Sequence, residues 1–231
     1  MSAAHATKSL PELTGPVEDY LKAIYELERT GEAAETNAIA RLLGIAPASV
    51  SGMVRRLAEQ GLITHERYRG ARLTTSGRRA ALRTIRRHRV IEAYLTSALG
   101  YSWDRVHDEA ERLEHAASDE LIDRMAEAIG EPETDPHGAP IPTREGTLEE
   151  RSVIPLSSLV PGDSARVETV SDANAERLRY LAELGITPGV EIHVIAREPF
   201  EGPIALRIGS QTRTIGPALA AQIMVAAPAK P

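Results

Sequence analysis

TNAIARLLGIAPASVSGMVRRLAEQGLITHERYRGARLT, residues 36–74, is the stretch whose reading decides the fold. Apolar residues recur at helical spacing on both sides of Gly44-Ile45-Ala46, which predicts two short helices broken at those three residues. Pro47 suits the first turn of the second helix, where its missing N–H is no loss. Val50, Val54 and Leu57 give that helix a face to bury and leave Ser49, Ser51, Gly52, Arg55 and Arg56 outward. The run LITHERYRGARLT (62–74) then reads as two short strands around Tyr68-Arg69-Gly70, a hairpin with its glycine at the turn. Upstream, after Pro16, residues Val17, Leu21, Ile24 and Leu27 share one helical stripe with Tyr20 beside it. Helix, helix-turn-helix and β-wing together predict a winged helix over residues 14–75, preceded by a disordered tail at 1–13.

Downstream the period stays helical to about Ile129, in three pieces. They run over 76–98, from Ser102 to about Ala116, and over 119–129 with Ser118 as the cap of the last. EPETDPHGAPIPTREGTLEERS (131–152) is dense in proline and glycine and marks a boundary, so a helical domain over 76–142 and a linker at 143–153 are expected. Beyond Val153 the period falls to about two. Ala165-Val167-Thr169, Val190-Ile192-Val194 and Ile204-Leu206-Ile208 alternate as strands, with one helix at 174–184. Short strands and Pro-Gly turns predict a small SH3-type β-barrel over 154–228. The expected fold class is mainly α with a small β domain.

The 231 residues are 42% apolar and 26% charged, which excludes wholesale disorder. Cysteine is absent, and with it disulfides, zinc ribbons and thiol catalysis. MSAAHATKSLPELTG lacks the apolar core of a signal peptide, and there is no run of about 18 apolar residues to span a bilayer. A cytoplasmic protein without a membrane partner is expected. The net charge of −6 conceals an asymmetry. Residues 41–89 hold twelve arginines against Glu59 and Glu66, whereas residues 90–151 hold sixteen acidic residues against five arginines. A basic block followed by an acidic one suggests a polyanion-binding surface beside a cation-binding one, with two solvated faces as the plain alternative.

The basic block contains the helix-turn-helix. Small residues at the start of its second helix let the backbone approach a major groove, while its arginines meet phosphates or guanine edges. The candidate DNA contacts are Thr36, Asn37, Pro47, Ala48, Ser49, Ser51, Gly52, Arg55, Arg56 and Arg69. In the acidic block, His107, Glu111, Glu114 and His115 stand at i, i+4, i+7 and i+8, one stripe of a helix, and the preceding helix offers His88 and Glu92 at i, i+4. Surface salt bridges are one reading of such a face. The other is a divalent metal: Glu111 and Glu114 repel each other unless a cation sits between them, and without thiols the ligand set is hard.

VEDYLKAIYELE (17–28), the helix-turn-helix, RRHRVIEAYL (86–95), VHDEAERLEHAASDEL (106–121) and DPHGAPIP (135–142) resemble the diphtheria-toxin-repressor family of metal-dependent transcriptional repressors. The resemblance covers about residues 15–142, and the barrel is similar to the family's third domain and to the FeoA-type SH3 fold. It implies a homodimer, not an enzyme, that binds double-stranded operator DNA when loaded with Mn²⁺ or Fe²⁺ and controls metal uptake. Carried over residue by residue, it implies a primary metal site of Asp19, Glu111, Glu114 and His115. It also implies an ancillary site of His88, Glu92 and His107, hence two ions per subunit. Iron-type members have Met and Cys where this chain has Asp19 and Glu111, whereas manganese regulators have Asp and Glu. Mn²⁺, the weakest binder of the series, favours carboxylate oxygen over sulfur, so the resemblance implies manganese.

Three positions depart from the family pattern. Lys22 stands where short manganese regulators place a further Glu ligand. Asp135 and Ala139 replace the Ser and Asn of the iron repressor's anion pocket beside Arg89. Asn174 and Arg177 fall on the barrel's Glu and Gln donors, leaving Asp172 and Glu176 as substitutes for the fourth ancillary ligand. The alternatives are an iron-dependent repressor of the same family, a metallohydrolase built on the His/Glu clusters, and a metal-independent winged-helix DNA-binding protein.

Overall fold

The computed structural model describes residues 13–66, 70–149 and 151–227; residues 1–12 of the expected tail, Arg69 and the rest of the hairpin tip lie outside them, while Leu13, expected in the tail, packs against the winged-helix core. The described chain forms two compact units. The first runs to Arg86 and takes in Pro142–Leu148; the second comprises Arg87–Ile141 and the chain from Glu149 onward.

The first unit is a winged helix. Helix α1 (Gly15–Thr30) starts at Pro16, α2 spans Thr36–Leu43, and α3 (Pro47–Glu59) starts at Pro47. The expected stripe of α1 is buried, Tyr20 included, and packs with Ile39 of α2 and with Val50, Val54 and Leu57 of α3 in one core. Strands β1 (Ile63–Glu66) and β2 (Gly70–Leu73) pair antiparallel as the wing. Gly70 has φ +77, and a Cβ there would meet the Ala34 backbone at 2.8 Å, so only glycine lets the wing close onto the α1–α2 connection. Thr74 then caps the long helix α4 (Thr75–Leu99), its Oγ1 accepting the Gly77 N–H at 3.1 Å.

In the second unit, Val90, Ile91 and Leu95 of α4 pack with Val106 and Ala110 of α5 (Val106–Leu113) and with Ile122 and Ala126 of α6 (Asp119–Ala128). Ser118 caps α6, its Oγ accepting the Leu121 N–H. Helix α5 is shorter than its sequence suggests. Beyond Leu113 the chain makes one last turn through Glu114 and His115, with Ala116 N–H reaching Leu113 O at 3.0 Å and Ala117 N–H the same oxygen at 3.1 Å.

The chain then forms β3 (Val153–Pro155), a 3-10 turn (Leu156–Ser158), β4 (Ser164–Val170), α7 (Ala175–Leu184), β5 (Glu191–Arg197), β6 (Ile204–Ile208), β7 (Gln211–Ile215), α8 (Pro217–Ala220) and β8 (Ile223–Ala226). The six strands make one antiparallel sheet in the order β3-β8-β4-β5-β6-β7. This is the small barrel that was expected. A bulge between Val167 and Thr169 shifts the alternation, so Val170 is buried where Thr169 was expected to be.

The barrel is fastened to the helices within this unit. Trp103 of the α4–α5 connection packs against the barrel core, and the Val170 N–H bonds His137 O at 3.0 Å. Arg179 of α7 pairs with Asp104 at 3.0 Å. Among the described residues no single helix is long and apolar enough to cross a membrane.

Candidate metal centre

One turn of α4 separates His88 from Glu92, and both face inward; Glu92 is fully buried. Helix α5 brings His107, and the segment between β4 and α7 brings Asp172 from the barrel. The four groups meet. His88 Nε2 lies 3.0 Å from Glu92 Oε1 and 3.2 Å from His107 Nδ1, while His107 Nδ1 is 3.4 Å from both Glu92 Oε1 and Asp172 Oδ2. One ligand atom from each lies within 4.8 Å of all the others. Glu176 has no place in that group, and Asn174 caps α7 by accepting the Arg177 N–H at 2.8 Å.

Two residues absent from the expected ligand sets join them. The loop 134–140 is tied by Asp135, whose Oδ1 accepts the N–H groups of His137 at 2.8 Å and Ala139 at 3.0 Å. Its Oδ2 stands 3.6 Å from the Arg89 guanidinium, so the Asp135 carboxylate itself faces that cation. Glu92, Asp135 and His137 form a second buried group within 4.8 Å, on the other side of Glu92. The chemistry here is specific. His137 Nε2 lies 2.7 Å from Trp103 O, and because a carbonyl only accepts, that nitrogen carries the hydrogen. His137 Nδ1 then points at Glu92 Oε2 across 3.6 Å, and among the described residues neither atom has a hydrogen-bond partner. In a neutral imidazole that pair is two buried lone pairs facing each other, which is costly unless a proton or a metal cation lies between them.

Without metal, protons serve. The Asp172 carboxylate and then Glu92 push His107 up to about 10. Burial pulls His137 down, but the adjacent Glu92 outweighs it and leaves it raised to about 9. Burial pushes Glu92 up, and the surrounding His107, His137 and His88 more than reverse that, holding it well below the usual carboxylate range. Asp135 moves the other way, to about 6, through burial and the charge of Glu92.

A further group surrounds Glu114, which is fully buried. His88 Nδ1 is 2.5 Å from its Oε2 and 3.7 Å from Glu111 Oε1, and His115 Nε2 is 3.5 Å from Glu114 Oε1. One imidazole, His88, thus faces Glu92 with one nitrogen and Glu114 with the other. Asp19, the remaining expected ligand, belongs to α1 in the other unit. The expected DNA contacts sit on the first unit: Pro47, Ala48, Ser49, Ser51, Gly52, Arg55 and Arg56 are exposed on α3, Asn37 is exposed and Thr36 half-buried at the start of α2.

Three family models match in succession: an iron-dependent repressor N-terminal DNA-binding domain over residues 12–71, an iron-dependent repressor metal-binding and dimerisation domain over 74–143, and a FeoA domain over 154–227. The diphtheria toxin repressor of Corynebacterium efficiens is 33% identical over 196 residues, covering 80% of this chain and 85% of that protein. The chain belongs to the diphtheria toxin repressor family of metal-dependent transcriptional repressors. Within this family, the iron-dependent repressor IdeR of Mycobacterium leprae is 30% identical over 79% of this chain and 85% of its own length. A solved structure described as a manganese-dependent transcriptional repressor in complex with manganese is 41% identical, with a TM-score of 0.86 over 91% of this chain and 99% of that one. The DNA-binding and dimerisation models together indicate operator DNA and a second copy of the chain as the family's partners.

Proposed function

We propose that this protein is a cytoplasmic, non-enzymatic, homodimeric repressor that responds to Mn²⁺, binds two ions per subunit and controls metal-uptake genes. Its working parts are a winged helix at 14–75, a metal-binding and dimerisation domain at 76–142 and a barrel at 154–228. The observation that carries the metal reading is the buried opposition of His137 Nδ1 and Glu92 Oε2, both without hydrogen-bond partners among the described residues. The donor set fits a hard or borderline divalent ion, since it consists of carboxylate oxygen and imidazole nitrogen in a chain without cysteine. That same set favours manganese over iron, because Asp19 and Glu111 stand where sulfur donors stand in iron-type members.

The ancillary ion would be held by His88, Glu92, His107 and Asp172, with Asp135 and His137 on the far side of Glu92. The primary ion would be held by Glu111, Glu114 and His115 together with Asp19 from α1. A divalent cation supplies the positive charge that reconciles these carboxylates. In its absence Asp19 is repelled by Glu111 and Glu114, and α1 with the attached winged helix is left mobile. Joined, the same side chains fix the two recognition helices of the dimer at the spacing that two half-sites require. Thr36, Asn37, the exposed start of α3, Arg55, Arg56 and Arg69 then meet the operator. A coupling of ~1–3 kcal/mol per site makes this a usable switch, and reciprocity requires DNA to tighten metal binding equally.

Operator binding measured with Mn²⁺, Fe²⁺ and Zn²⁺ at equal free concentration tests the proposal. Activation strongest with Mn²⁺ is expected. Activation strongest with Fe²⁺ would make the chain an iron repressor, and equal binding without metal would refute metal dependence altogether.

A further inference from the structure

The wing has an edge that a two-stranded hairpin leaves open, and α1 together with the α1–α2 connection closes it. On one side strand β2 pairs with strand β1; on the other, among the described residues, it meets no strand, only a single bridge at Ala71. On the other side its alternate N–H groups point outward, and both are taken: Ala71 N–H bonds Ala34 O at 2.9 Å, and Leu73 N–H bonds the Glu28 carboxylate at 2.8 Å. The second partner is a side chain of the first helix, 45 residues earlier in the chain. Glu28 is itself held, its other oxygen 3.7 Å from the Arg78 guanidinium of α4, which in turn lies 5.0 Å over the ring of Tyr25 on α1. Between the two tethered residues sits Arg72, exposed.

We propose that Glu28 is a positioning residue that couples α1 to the wing, so that ordering α1 also places Arg72 against the DNA backbone. This rests on the repressor reading above, in which α1 carries the ligand Asp19. It goes beyond that reading by making the wing, and not the recognition helix alone, part of the metal response. A carboxylate suits the task because its bond to the Leu73 N–H is charge-assisted and its second oxygen remains for Arg78.

The test is operator binding of the full-length, Mn²⁺-loaded protein as a function of salt, for wild type, Glu28→Ala, Glu28→Gln, Arg72→Ala and the double variant Glu28→Ala/Arg72→Ala. Glu28→Ala should bind the operator about tenfold more weakly, with a salt slope shallower by about 1, as for one lost phosphate contact. The number of Mn²⁺ equivalents, measured by equilibrium dialysis, should not change. Glu28→Gln keeps an oxygen acceptor for the Leu73 N–H and should recover most of the loss. Arg72→Ala should show the same shallower slope, and the double variant should bind no more weakly than the worse single one, because the two act through one contact.

A full salt slope in Glu28→Ala, or losses that add in the double variant, would overturn the inference. Should Glu28→Ala fail to fold, an unchanged slope in Arg72→Ala would overturn it alone. Wild-type operator binding that ignores Mn²⁺ would overturn the repressor reading, and this inference with it.

Discussion

The imidazoles around Glu92 set the acid–base behaviour of metal loading. His107, raised to about 10, and His137, raised to about 9, are protonated at neutral pH in the metal-free protein. A cation can reach their nitrogens only by displacing those protons. Apparent Mn²⁺ affinity should therefore rise with pH towards those values and fall as pH drops. Calorimetry at pH 7 in buffers of differing ionisation enthalpy should show release of roughly one to two protons per subunit; no release would mean that these rings are not ligands. Metal choice is a residue-scale property too. Asp19→Met/Glu111→Cys puts soft donors where oxygen stands, and Mn²⁺ should lose ground to Fe²⁺ and Co²⁺. The ratio of operator-binding activation by Mn²⁺ and Fe²⁺ reads this directly, and an unchanged or rising ratio would remove these two side chains from the selectivity.

Single elements show where periodicity succeeds and where it stops. The three helices of the winged helix were legible because their apolar stripes, Pro16, Pro47 and the break at Gly44 are local signals. The end of α5 was not. The periodicity carries the helix to about Ala116, whereas α5 ends at Leu113 and the buried Glu114 lies beside His88 of α4. His88 and Glu92 were legible as a pair by spacing, and His107 as part of the α5 stripe, but their grouping came from the family resemblance; Asp135 and His137 were not legible, because they lie in a proline- and glycine-rich loop that meets Glu92 only through the fold. The i, i+2 pairing of Asp and His in DPHG was the available sign, in a chain with no thiol to supply a buried ligand. Close approach is equally invisible in one dimension. A Cβ on Gly77, in the first turn of α4, would stand 1.9 Å from Leu62 O. Gly77→Ala should thus destabilise the winged helix by about 1–3 kcal/mol despite alanine's better helix propensity. Denaturant unfolding measures it, and a variant as stable as wild type would show that α4 can shift at little cost.

Across the molecule, the barrel and the dimerisation helices share one unit and one cluster: Asp172 comes from the barrel, His107 from α5 and His88 and Glu92 from α4. Removing metal should loosen both parts together. With free ion at about 100 times its dissociation constant, loading stabilises the folded state by ~2.7 kcal/mol. EDTA treatment should lower the melting temperature and raise amide exchange in α5 and around Val170–Asn174 alike, and a change confined to the helices would place Asp172 outside the site. The donors gathered about Glu92 have one more consequence, for a cell under oxidative stress. Thiolate ligands are lost to peroxide as they climb to sulfenic and sulfinic acid, whereas carboxylates and neutral imidazoles do not enter that ladder. A sensor assembled only from the latter keeps reporting metal while thiol-based regulators are silenced. Hydrogen peroxide at doses that oxidise a reactive thiol should leave Mn²⁺-dependent operator binding intact; a loss that tracks sulfoxide formation at Met53, and not at Met125 or Met224, would instead place the vulnerability on the recognition helix.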